Sequence, residues 1–154
     1  MRRGFTLVEV VMVVVLLAIA VPPTLGWMSD TAATRADAVN ITRATMLATI
    51  VLETVTADVS SPAPGLGFAA LADGDTYLDA PTTGLHARVA AWTAPYEALG
   101  MSYVIKFSNL VGPSGAATGN AATDVFRVVM VQVSAPSASG STMTMQFSTM
   151  VTEL

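Results

Sequence analysis

Twelve consecutive apolar residues, Val10 to Val21, follow a lone carboxylate at Glu9 and two arginines at Arg2 and Arg3. The basic flank tethers such an apolar segment to the cytoplasmic side. Glu9 is the residue that needs explaining. An ionised carboxylate in lipid costs about 2.5–3.5 kcal/mol on insertion scales, so such a group normally has a partner and a task.

Length decides whether the segment can span. Phe5 to Val21 is seventeen residues, or about 26 Å of helix against a hydrocarbon core of about 30 Å. Continuation through Leu25, Trp27 and Met28 closes the gap, with Trp27 suited to the far interface. Pro22 and Pro23 each lack an amide donor, and Pro22 disfavours the helical region for Val21. The pair therefore predicts either a kink with local unwinding or the end of the membrane helix.

The hexamer Gly4-Phe5-Thr6-Leu7-Val8-Glu9 resembles the start of the type IV pilin and type II secretion pseudopilin superfamily: a short basic leader ending in Gly, then Phe-Thr-Leu-Val-Glu opening a hydrophobic helix. The resemblance covers about the first thirty residues. It implies cleavage by a prepilin peptidase between Gly4 and Phe5 and N-methylation of the new Phe5 amine. Glu9, the fifth residue of the mature chain, would meet the N-terminal amine of a neighbouring subunit during assembly, which supplies the partner that the membrane physics asks for. Other implied partners are sister pilins or pseudopilins, the inner-membrane assembly platform and membrane lipid. The implied location is the inner membrane, single-pass with a periplasmic C-terminal domain, and then the assembled filament.

A competing reading starts from the same residues. Arg2-Arg3, the apolar core and Ala18-Ile19-Ala20 also fit a secretory signal peptide cleaved after Ala20, which would release an extracytoplasmic binding module or enzyme beginning at Val21. Glu9 speaks against it, because a signal core gains nothing from a buried acid, and the Gly4-Phe5 junction has no role in that pattern.

Composition fits one modest domain beyond an anchor. The chain has 154 residues, 53% hydrophobic and 12% charged, with much of the apolar excess in the first thirty. Its net charge is −4, and loss of Arg2 and Arg3 leaves five basic side chains against eleven acidic ones. An acidic chain without a basic cluster is not built for nucleic acid. Cysteine is absent, so no disulfide supports the domain. Many major pilins close a C-terminal loop with a disulfide, so the resemblance shifts toward a minor pilin or minor pseudopilin. The strand pattern ending in Ser148-Thr149-Met150-Val151 also resembles the tail of that branch.

Ser29 to Val59 reads as a second helical stretch, free of Gly and Pro. Ala36, Val39, Met46, Leu47, Ile50, Val51 and Val55 recur near helical spacing and predict a face packed on a sheet. Arg35, Asp37, Asn40, Arg43 and Glu53 predict a solvated face. From Pro62 onward the texture is of short strands between Gly, Pro, Asn and Ser clusters. Met101–Val111, Phe126–Ser134 and Thr142–Met150 read as three antiparallel strands, and Leu85–Trp92 as an edge strand or short helix. The layout is a leader over 1–4, a transmembrane and assembly helix over 5–28, an amphipathic continuation over 29–59 and an extracytoplasmic β-sheet domain over 60–154. The fold class is α+β, a long membrane-inserted helix packed on a small antiparallel sheet.

Catalytic chemistry is thin, and the reading is of a structural subunit and not an enzyme, without a cofactor. His86 is the sole histidine, and with no cysteine there is no His/Cys metal set. Gly112-Pro113-Ser114-Gly115 lacks the spacing of a nucleophile elbow and reads as a turn. Asp73, Asp75 and Asp79 gather carboxylates that could hold calcium, but their spacing misses the twelve-residue calcium loop, and a solvated turn is the default. Asn40-Ile41-Thr42 matches a glycosylation acceptor inside a predicted helix.

Overall fold

The computed structural model describes residues 6–153. One helix dominates it. α1 runs without a break from Leu7 to Val59, about 80 Å at 1.5 Å per residue. Three antiparallel strands follow a short helical region: β1 (Ser102–Val111), β2 (Phe126–Pro136) and β3 (Thr142–Thr152), in the spatial order β1-β2-β3.

The core forms where the second part of α1 lies on the sheet. Ala44, Leu47, Ala48, Val51 and Val55 are buried at i, i+3, i+4, i+7 and i+11, the stripe one helix face presents. Opposite them Val129, Val131 and Val133 of central β2 are fully buried, each stabilising the fold by about 1.5–3 kcal/mol. Ile105 of β1 and Val151 of β3 complete the floor. This face differs in part from the sequence expectation. Ala36, Val39 and Met46 stand exposed, and Ala44 and Ala48 take their place against the sheet. Small side chains let the helix axis approach β2, which hydropathy alone does not reveal.

Pro22 and Pro23 neither end the helix nor unwind it; the α-helical backbone continues through both. Thr24 lies just beyond them, its hydroxyl donating to the carbonyls of Val21 at 2.8 Å and Ala20 at 3.2 Å. Hydroxyls of this kind help satisfy backbone groups around a helical proline.

Of the stretch read as strand-rich from Pro62, the part up to Glu97 is helical over much of its length, and the strands begin only at Ser102. A 3-10 turn spans Phe68–Ala72, and two helices follow: α2 (Gly74–Asp79) and α3 (Leu85–Glu97), the latter settling the choice left open at Leu85–Trp92. Alanine-rich sequence without period-two alternation favours this outcome. α3 buries Leu85, Val89 and Thr93 at four-residue steps, and Tyr77 of α2 meets the Phe107 ring edge-on, 5.5 Å between centroids.

Contacts at two places fix how α1 lies along the sheet. Near its middle, Asn40 donates to the Pro136 carbonyl at 2.8 Å, and Asp37 accepts from the Ala138 amide at 2.7 Å and the Ser137 hydroxyl at 3.2 Å. The residues expected on a solvated face thus stitch α1 to the β2–β3 turn. At its C-terminal end, the Asp58 carbonyl accepts from the Gly67 amide at 2.9 Å, and the adjoining Phe68 ring lies 5.8 Å from the guanidinium of Arg127, near the start of β2. α1 therefore runs antiparallel to β2 and in the same sense as β1 and β3.

Candidate assembly surface

Among the described residues, nothing packs on the part of α1 that lies well upstream of the stitch at Asp37. Leu7 to Met28 is exposed at every position, Leu16 at 64% and Trp27 at 76%. This is the helix among the described residues that is long and apolar enough to cross a membrane. Between Glu9 and Asp30 no residue is charged. That separation is about 31 Å along a helix axis, close to the hydrocarbon thickness of about 30 Å.

The first turn is built by its own sequence. Thr6 is the N-cap, its hydroxyl accepting from the Glu9 amide at 3.3 Å while its carbonyl accepts from Glu9 and Val10. Thr6 and Glu9 hold the first and last positions of the S/T-x-x-E spacing that favours a helix start. A carboxylate here also complements the positive end of the helix dipole. Glu9 is exposed and has no ion-pair partner among the described residues. Gly4 and Phe5, the residues assigned to cleavage and methylation, lie outside the described residues.

The other candidates are accounted for locally. Asp73 caps α2, accepting from the Thr76 hydroxyl at 2.8 Å and the Thr76 amide at 3.3 Å, which lowers its pKa. Asp79 pairs with His86 Nδ1 at 2.8 Å, and Asp75 sits exposed in the first turn of α2. Among the described residues no three His, Asp or Glu side chains come together to hold a metal ion. Gly112 to Gly115 forms a turn closed by the Gly115 amide on the Gly112 carbonyl at 2.9 Å. Asn40 and Thr42 are occupied by Pro136 and Ala38. A groove of about 800 Å³ between α1 and α3 is lined largely by apolar side chains, Ile50, Ala57, Trp92 and Pro95 among them, with Glu53, Thr54, Asp58 and Tyr96 as its polar members.

One polar cluster has no signature in the sequence. Asp58, buried at the end of α1, receives both terminal nitrogens of Arg88 from α3 and the hydroxyl of Tyr77 from α2. Arg88 Nε donates to the Thr83 carbonyl at 2.9 Å. Burial, reinforced by the bond to Asp58, pushes the Tyr77 hydroxyl well above the ordinary tyrosine range, and the same carboxylate raises Arg88. The cluster ties three helices together beneath the groove and leaves no free acid or base.

A long N-terminal apolar helix laid on a three-stranded antiparallel sheet is a pilin-like α+β arrangement. The family model for the prokaryotic N-terminal methylation motif matches residues 1–21. The chain thus carries a prepilin-type motif of the type IV pilin and pseudopilin kind on a transmembrane-type helix. No curated protein and no solved structure matches it.

Proposed function

We propose that this chain is a structural subunit of a type II secretion pseudopilus or a type IV pilus, working by assembly and not by catalysis. The uncovered apolar half of α1, beginning at the capped Glu9 turn and ending before Asp30, carries the reading. Left in water it would expose more than twenty residues of apolar helix; in lipid, or among the same helices of sister subunits, that surface is removed from water.

On this proposal the prepilin peptidase cuts between Gly4 and Phe5, the Phe5 amine is methylated, and Glu9 pairs with the N-terminal amine of a neighbouring subunit. The anchor holds the chain in the inner membrane with residues 29–154 on the periplasmic side until the assembly platform extracts it. The absence of cysteine favours a minor pilin or minor pseudopilin.

Mass spectrometry of the membrane-associated mature chain tests the proposal. A start at Phe5 with one added methyl group is expected, and replacement of Gly4 by Val should leave the precursor uncut. A mature chain starting at Val21, or normal trimming of Gly4→Val, would overturn it.

A further inference from the structure

We propose that the free edge of β3 receives an extended segment of a different protein chain as a fourth strand of the sheet. The two outer strands of this sheet are built differently. β1 carries Lys106 and a break in register between Phe107 and Leu110. At that break the Ser108 hydroxyl takes the Val128 amide at 2.8 Å, and the Ser108 carbonyl takes Arg127 at 2.9 Å. A charge and a bulge are the ordinary means of blunting an edge. β3 has neither. Its eleven residues pair with β2 in unbroken register from Pro136↔Thr142 to Phe126↔Thr152, with no charged residue and no proline. Such an edge offers a row of unpaired amides and carbonyls to an incoming strand.

The side chains of β3 define what the incoming strand carries. Its inward residues Met143, Met145 and Phe147 are only half-buried, whereas Val129, Val131 and Val133 one strand away are fully buried. A fourth strand with apolar residues at alternate positions would cover them. Its outward residues Thr144, Gln146 and Ser148 are uncharged, so the complementary segment alternates apolar with neutral polar side chains.

A second copy does not fit this edge antiparallel. A parallel approach with both α1 helices on one face of the joined sheet would have to pair it with β1, the edge that Lys106 and the register break blunt. α1 runs in the same sense as β3, so a two-fold antiparallel pairing of two β3 edges would point the two N-terminal helices in opposite directions. Two chains anchored in one membrane cannot adopt that arrangement. This step rests on the membrane-anchored reading; the openness of the edge does not.

The full chain in nanodiscs, with a synthetic peptide of residues 142–152 as the strand probe, provides the test. Saturating peptide should slow hydrogen exchange at the β3 amides facing away from β2 by about tenfold or more. Thr144→Lys with Gln146→Lys should abolish that protection without changing the unfolding midpoint. Unchanged exchange at β3 in the wild-type chain, or protection that persists in the double-lysine chain, would overturn the proposal. The chain has no cysteine, so Gln146→Cys in nanodiscs holding two copies reports copy-to-copy pairing directly. No disulfide is expected, and efficient disulfide formation would overturn the assignment to a different chain. Retention of the chain in vesicles after an alkaline wash reads the anchoring separately.

Discussion

Arg88 meets Asp58 through two charge-assisted hydrogen bonds, 2.7 Å to Oδ1 and 2.5 Å to Oδ2, across thirty residues of chain. Asp58 is buried and Arg88 about a quarter exposed. Removing the carboxylate strands a guanidinium and the Tyr77 hydroxyl together. Asp58→Ala should therefore cost about 2–4 kcal/mol, below the full cost of breaking a buried pair because Arg88 is partly solvated. Urea unfolding in mild detergent measures it. The double variant Asp58→Leu with Arg88→Met should be less destabilised than the sum of the single changes, and strict additivity would show that the two side chains do not act as a pair.

Gly84 is required by crowding and not by its backbone angle. A Cβ there would lie 2.6 Å from the Ala80 nitrogen and from the carbonyl oxygens of Ala80 and Leu78, all backbone atoms that cannot swing aside. Gly84→Ala should lower stability by about 1–3 kcal/mol by forcing the α2–α3 connection apart. Gly26→Ala, with nothing within 4 Å of the new carbon, should stabilise α1 by about 0.5–1 kcal/mol. Equal effects at the two sites would contradict this account.

Asp124 anchors the β1–β2 loop, accepting from the Thr118 hydroxyl at 2.7 Å and from the Thr118 and Gly119 amides at 2.9 Å. The Thr118 hydrogen bond leads in holding its carboxyl below the ordinary aspartate range. Because the folded pKa lies below the unfolded value of about 3.9, the contribution is complete above that value and is lost as pH falls through the folded pKa. Wild type should exceed Asp124→Asn in stability at neutral pH, and the gap should close in acid. A gap that widened on acidification would reverse the assigned sign.

Glu9→Val removes a carboxylate at the end of the apolar segment, whose cost there is at most that of a charge at the bilayer centre, about 2.5–3.5 kcal/mol. The variant should stay in the membrane at normal abundance, yet crosslink less to neighbouring pilins at matched expression. Incorporation equal to wild type would separate the charge from assembly.

The strands were legible because period two survives in their side chains: Tyr103, Ile105 and Phe107 turn inward, as do Val129, Val131 and Val133. The helix end before Ser60 was legible from the Ser-Pro-Gly cluster after it. What escaped sequence reading depends on partners far along the chain. Asp58, Tyr77 and Arg88 are unremarkable polar residues until three helices converge, and Asp37 and Asn40 look solvated until the β2–β3 turn reaches them. The short helices over 68–97 carry only weak periodicity, so tertiary packing decides them. For the candidate site, the long apolar helix was readable from its hydropathy, while the Thr6 cap became visible as geometry.

The stitch at Asp37 and Asn40 also sets how the domain bears load. A pull on the N-terminus travels along α1 and enters the globular part first at the β2–β3 turn. Because the helix lies along the strands, that force acts lengthwise and must slide the whole Ala44–Val55 stripe past Val129, Val131 and Val133 at once, instead of peeling residues away singly. The domain is thus oriented to resist being torn from α1 when that helix is pulled along its length.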